Sequence, residues 1–279
     1  MEATNKKVSQ EYFDQIVSEN MNDFEMSESD AIQDALNQLK SQGVDLSMIC
    51  KFSIENRTKL TDAIKKLNEL NEKITGSGEK NGSYESALNV MNIMKEKFQS
   101  DLSYRCLATN MTKPNAYETF MSYLKKFDKS RERVLTNDEI NFIDSFFKTF
   151  DSYVYQQSDV LTSECLKLLI DFTNTDESCF ESQPIILQSI LKCINSGCLM
   201  NEPNRQFLVE NGLCENLMKL IKKNRKNEGV LCQVCQLIRS LLLDDDLRVE
   251  FGKAHEHAKY IAHELNGIDV LLQIGLGIF

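Results

Sequence analysis

Apolar residues recur at helical spacing along most of this chain. From Ser9 to about Met26, Phe13, Ile16, Val17, Met21 and Phe24 fall on one stripe, which predicts an amphipathic helix with Ser9 in its cap region. A second stripe of Ala31, Ile32, Ala35, Leu36 and Leu39 follows Ser27. Ser27 with Asp30 resembles a capping box, and Gly43 is placed to stop the helix. The two make a helical hairpin. A third helix, about Thr58 to Ile74, repeats Leu60, Ile64, Leu67 and Leu70 before the glycine-rich stretch Gly76 to Gly82. That stretch reads as a linker, because it lacks both the spacing of a phosphate-binding loop and a preceding strand.

From Tyr84 onward helical patterns alternate with short breaks, and parts of them repeat. Asn204-Arg205-Gln206-Phe207 and Asp246-Leu247-Arg248-Val249-Glu250-Phe251 each place an Arg shortly before a Phe, and 248 − 205 = 43 residues separate the arginines. That is about the length of an armadillo or HEAT unit. Asn211-Gly212-Leu213 is echoed by Asn266-Gly267-Ile268, at 267 − 212 = 55. Each Asn-Gly supplies a residue tolerant of positive φ between helices. The longer second interval assigns 252–264 to a solvated insert. Units of this size bury their apolar faces only by stacking. The expected fold is all-α, an armadillo/HEAT-like right-handed superhelical solenoid. It divides into an N-terminal helical extension (1–75), a linker (76–83) and repeats (84–279) that are truncated at the apolar C-terminal end.

Composition narrows the function. The 3 Pro and 11 Gly suit helices rather than a punctuated all-β chain. A formal net charge of −10 repels nucleic acid and favours a protein partner, a basic segment above all. The basic run Lys219 to Lys226 is too short to reverse this. Nine cysteines spread through the chain read as reduced core thiols, in the cytoplasm or also the nucleus. The first ten residues lack an apolar leader core, and no apolar run approaches the ~20 residues of a membrane span.

Gln10 to Asn20, Ser41 to Ser47, Asp244 to Gly252 and Ala254 to Lys259 together resemble the armadillo repeat-containing protein 6 family, in order and spacing. The resemblance implies an N-terminal helical extension, an armadillo superhelix continuing beyond Phe279, and no assigned enzymatic activity. It also implies a groove lined by the third helix of each unit, here about Gly229 to Leu243. In well-known peptide-binding armadillo proteins that helix carries a Trp with an Asn four residues later. Gln236 and Ser240 stand at those positions and the chain has no Trp, so the cation–π platform for lysine stems is missing. Gln236, Arg239 and Ser240 are the expected partner-binding residues.

Other chemistry is weaker. Cys232 and Cys235 have metal-pair spacing, but an apolar helical run favours core packing for both. His255 and His257 diverge on a helix and converge on an extended strand, where they could hold zinc weakly. In the family the related stretch has alternating histidines of a kind that is methylated; here Lys253 and Glu256 interrupt that pattern. Asp128 to Glu139 has acidic spacing but Arg133 where a calcium loop needs Gly, and Thr136 with Glu139 fits a helix cap better. No nucleophile–base pair or cofactor motif emerges. The expectation is a non-enzymatic interaction scaffold, without metal or other cofactor, that binds a partner segment along the armadillo groove or at the N-terminal helical hairpin. The alternative is a metal-responsive or modification-regulated protein switched at 252–264.

Overall fold

A computed structural model describes residues 6–46, 49–74, 81–111, 113–128, 134–174, 180 and 182–276. Helices α1 (Gln10–Asp23) and α2 (Glu28–Ser41) pair as the expected hairpin. Ser9 Oγ accepts the Tyr12 N–H and Ser27 Oγ accepts the Asp30 N–H, so each serine satisfies a backbone donor that the first helical turn leaves open. Gly43, at φ +71°, follows α2. Two short parallel strands, β1 (Lys6–Lys7) and β2 (Val44–Asp45), close the module. Its own small core joins Phe13, Ile16 and Val17 to Ala31, Ala35, Leu36 and Leu39, with Val44, Leu46 and Ile49 beneath.

Polar bonds seat this module on the rest. Arg57 Nη1 donates to Asp14 Oδ2 at 2.6 Å, and Gln10 exchanges two hydrogen bonds with the Cys50 backbone. Helix α3 (Ile54–Ile74) belongs to the larger core. It packs on α4 (Asn81–Ser100). Residues 81–83 form the first turn of α4, and 75–80 lie outside the described residues. The heptad-like apolar stripe of Leu60, Ile64, Leu67 and Leu70 is what draws α3 into the main core.

Beyond α4 the chain repeats a three-part unit. The first comprises α5 (Leu102–Asn110), α6 (Ala116–Asp128) and α7 (Asn137–Val154). Next come a 3₁₀ turn (Ser158–Val160), α8 (Ser163–Thr173) and α9 (Pro184–Cys198). Then follow α10 (Glu202–Glu210), α11 (Leu213–Lys223) and α12 (Glu228–Leu241). A last partial unit holds α13 (Ala254–Lys259), a π-helical turn (Tyr260–Glu264) and α14 (Gly267–Leu276). Helices α4, α7, α9 and α12 pack in sequence as one row, and α3, α6, α8, α11 and α14 as a second. The result is an all-α, armadillo-like helical repeat.

Hydrogen bonds between successive helices of one row carry the repeat length. Ser189 Oγ donates to Asp144 Oδ1 and Ser196 Oγ to Asp151 Oδ1, both at 2.6 Å and both across 45 residues. Asn216 Nδ2 reaches Thr173 Oγ1 across 43 residues. Such buried bonds fix the register that apolar packing alone leaves loose. Between α6 and α7 the core is aromatic: the Phe127 and Phe146 rings meet edge-on at 5.0 Å, with Phe120, Tyr123 and Phe150 around them.

Two expectations near the C-terminal end are corrected. Residues 254–264 are not a solvated insert: they form the first helix of their unit, because His257 and Ile261 recur at helical spacing and are buried. The paired Asn-Gly turns use different residues. Gly212 takes φ +88° before α11, whereas before α14 it is Asn266, at φ +54°, that turns the chain. Gly267 is there for closeness, since a Cβ on it would lie 2.6 Å from the Ile261 carbonyl oxygen.

Candidate binding cleft

The first row of helices presents a cleft of about 590 Å³ where α4, α7, α9 and α12 follow one another. Gln99, Asp101, Leu102 and Arg105 line one side, Ser152 and Tyr155 the floor, and Lys192, Asn195 and Gln236 the other side. Helical periodicity places these groups together. Asp151, Ser152 and Tyr155 share one face of α7, and Lys192, Asn195 and Ser196 share one face of α9.

The walls are tied to each other. Gln99 Nε2 donates to Ser152 Oγ at 3.2 Å, joining α4 to α7. Asp151 joins α7 to α9 twice, through Ser196 Oγ and through Lys192 Nζ at 3.2 Å. Arg105 Nη1 donates to the Tyr155 carbonyl at 2.6 Å and Nη2 to Gln156 Oε1 at 3.3 Å, with the guanidinium 5.7 Å from the Tyr155 ring centroid. Burial holds the Arg105 pKa below its usual value. Some polar atoms of the cleft wall are left over: Asn195 Oδ1 and Arg105 Nε are buried without a hydrogen-bond partner, as is Gln233 Oε1 on α12.

Of the expected partner-binding residues, Gln236 lines the cleft. Arg239, one turn later, is exposed on the same side of α12. Ser240 is buried, because it falls between Leu237 and Leu241 on the core side. Cys232 and Cys235 are exposed, against the expectation of core packing. On α12 the core positions are Val230, Val234, Leu237 and Leu241, and the two thiols occupy the opposite side of that stripe. Lys192, Asn195 and Tyr155 escaped sequence reading. The signal for Lys192 was its place 44 residues before Gln236, about one unit.

His255 and His257 stand apart. Helix α13 exposes His255 and buries His257, whose Nδ1 lies 3.1 Å from the Leu241 carbonyl. Among the described residues no group of three or more His, Cys, Asp or Glu could hold a metal ion. Thr136 and Glu139 form a capping box at the start of α7. The middle of the calcium-loop candidate, 129–133, lies outside the described residues, as do 75–80 of the glycine-rich stretch. No helix among the described residues is long and apolar enough to cross a membrane.

Two packed rows of helices, with bonds about one unit apart along each row, define an armadillo-like helical repeat chain. Residues 5–69 match the family model described as Armadillo repeat-containing protein 6 N-terminal domain. The chain is 30% identical over 275 residues to Armadillo repeat-containing protein 6 of Homo sapiens, covering 96% of this chain and 50% of that relative. The same values hold for the Pongo abelii protein. Identity to the Drosophila melanogaster homolog is 26% over 261 residues, 93% of this chain and 53% of that one. Residues 5–69 thus resemble that N-terminal domain, and the chain as a whole is similar to armadillo repeat-containing protein 6. It spans about half the length of these relatives. No solved structure matches it.

Proposed function

We propose that the chain is a non-enzymatic scaffold that holds a segment of a protein partner in the cleft along α4, α7, α9 and α12. The observation that carries this reading is the set of unpartnered polar atoms there, led by Asn195 Oδ1. A buried acceptor without a donor costs roughly 1–3 kcal/mol, and a peptide N–H entering the cleft would remove that cost. Kinship with armadillo repeat proteins supports a role in protein interaction. Gln236 and Arg239 extend the contact surface along α12. A basic segment suits the hairpin rather than the cleft, since Gln10 to Ser41 hold eight acidic residues and one lysine. Cytoplasmic or nuclear residence fits the buried thiols.

The test compares partner capture by wild type with capture by Asn195→Ala/Gln236→Ala and by Lys167→Ala on the second row, each confirmed folded by circular dichroism. The reading expects loss with the cleft variant alone. Equal capture by all three sinks it.

A further inference from the structure

Arg57, Arg105, Arg205 and Arg248 are bonded into the fold, and three of these four meet carboxylates. Arg57 pairs with Asp14 at 2.6 Å, Arg205 with Glu202 at 2.9 Å and Arg248 with Asp159 at 2.7 Å. Arg105 is the exception. It is 4% exposed, its two bonds go to a carbonyl and an amide oxygen, and its Nε–H has no partner. Asp101 lines the same cleft but caps α5, accepting the Ser103 N–H at 2.7 Å, and forms no ion pair with it. A guanidinium stays charged even when buried. Burying one with no ion-pair partner is unfavourable, and an incoming carboxylate would relieve part of that cost.

We propose that Arg105 is the anchor for an Asp or Glu side chain of the bound segment, a refinement that rests on the cleft reading above. The Nε edge of a guanidinium presents the fork that a carboxylate matches with two parallel bonds. Neighbouring charge is balanced: among the lining residues Arg105 and Lys192 stand with Asp101 and Asp151, and Lys192 is paired with Asp151. Along the same row Glu96 on α4, Lys148 on α7 and Arg239 on α12 are exposed, and Lys148 is paired with Asp144 at 2.7 Å. Asp144 and Asp151 are buried and each bonds both a lysine and a serine, Lys148 with Ser189 and Lys192 with Ser196, so Arg105 is the cleft cation that has no ion-pair partner. Tyr155 and Leu102 add partly exposed apolar surface, which selects an apolar residue next to the acidic one.

Short peptides with blocked ends, randomised except for a central Glu, Gln, Lys or phosphoserine, test this on the intact protein, together with an unblocked pool ending in a free carboxylate. The Glu pool should bind roughly tenfold more tightly than the Gln pool, and Arg105→Met should abolish that preference. Saturation with the Glu pool should also shift the Arg105 Nε–H nuclear magnetic resonance in wild type, a readout that does not depend on the variant folding. Equal binding of the Glu and Gln pools, or an unmoved Nε–H signal, overturns the anchor and leaves the cleft reading standing. Tighter binding of phosphoserine assigns the site to phosphate, and tighter binding of the unblocked pool assigns it to a chain terminus; either overturns the proposal. Binding by none of the pools overturns the proposal and the cleft reading together.

Discussion

Arg248 and Asp159 lie 89 residues apart in the sequence and meet through Nη1 at 2.9 and 2.7 Å from the two carboxylate oxygens. The same guanidinium donates to Asp246 through Nε and Nη2 and to the Met200 carbonyl through Nη2. Its five N–H groups are all engaged, and they join the 3₁₀ turn after α7, the turn after α9 and the segment after α12. Arg248 and Asp159 are largely exposed, while Asp246 is buried. Arg248→Ala should therefore lower unfolding stability by about 1–2 kcal/mol, mostly through Asp246. Urea titration measures this, and the difference should shrink in high salt.

Asp246 gives a pH signature. The Arg248 side chain, with the Glu202 and Arg248 backbone N–H groups, holds its carboxyl well below the usual carboxylate range, against a smaller opposing effect of burial. A depressed folded value means that the unfolded chain binds the proton more readily. The contribution is thus full above the unfolded value, near ~3.9, and is lost as pH falls through the folded value. Asp246→Asn should flatten stability against acid below about pH 4. Thermal unfolding of both proteins across that range checks the sign, and parallel curves would contradict it.

Arg205 is a harsher case. It is 0% exposed and bonded to Glu202, Asp245 and the Cys198 carbonyl. Arg205→Met should cost about 3–5 kcal/mol, because Glu202 is left as a buried charge lacking its cation. Adding Glu202→Gln should recover part of that loss by removing the charge. A double variant as unstable as the single one would place the cost in packing instead, and denaturant titration distinguishes the two.

Thiol reactivity separates buried from exposed cysteines. Burial pushes the Cys165, Cys198 and Cys214 thiols up to about 12, which leaves little thiolate at neutral pH. Cys232 and Cys235 are exposed. Brief maleimide labelling of the native protein, mapped by mass spectrometry, should modify Cys232 and Cys235 well ahead of those three. Comparable labelling at Cys165 would show that this part of the core opens freely.

Local signals were legible in the sequence wherever a side chain acts on its own helix. Ser9, Ser27 and the pair Thr136 and Glu139 cap helices as their spacing predicts, and Gly43 ends α2. The repeat was legible where its turns share chemistry, at Asn204 and Asp246. It was silent from α3 to α9, where units correspond through generic apolar positions and bonds such as Ser189 to Asp144. Those bonds pair dissimilar residues and leave no echo. Exposure of Cys232 and Cys235 was missed because α12 is apolar enough for its outer side to read as core. The cleft needed coordinates, since Arg105, Tyr155 and Asn195 come from three different helices or their ends.

The central claim is that a partner segment lies in the cleft, and site-specific photo-crosslinking in cells tests it most directly. A benzophenone amino acid would replace Gln99, Lys192 or Gln236 in the cleft, and Lys167 or Lys222 on the second row. The account predicts crosslinks to a common partner from all three cleft positions and none from the other two. Crosslinks from Lys167 and Lys222 with none from the cleft would contradict it.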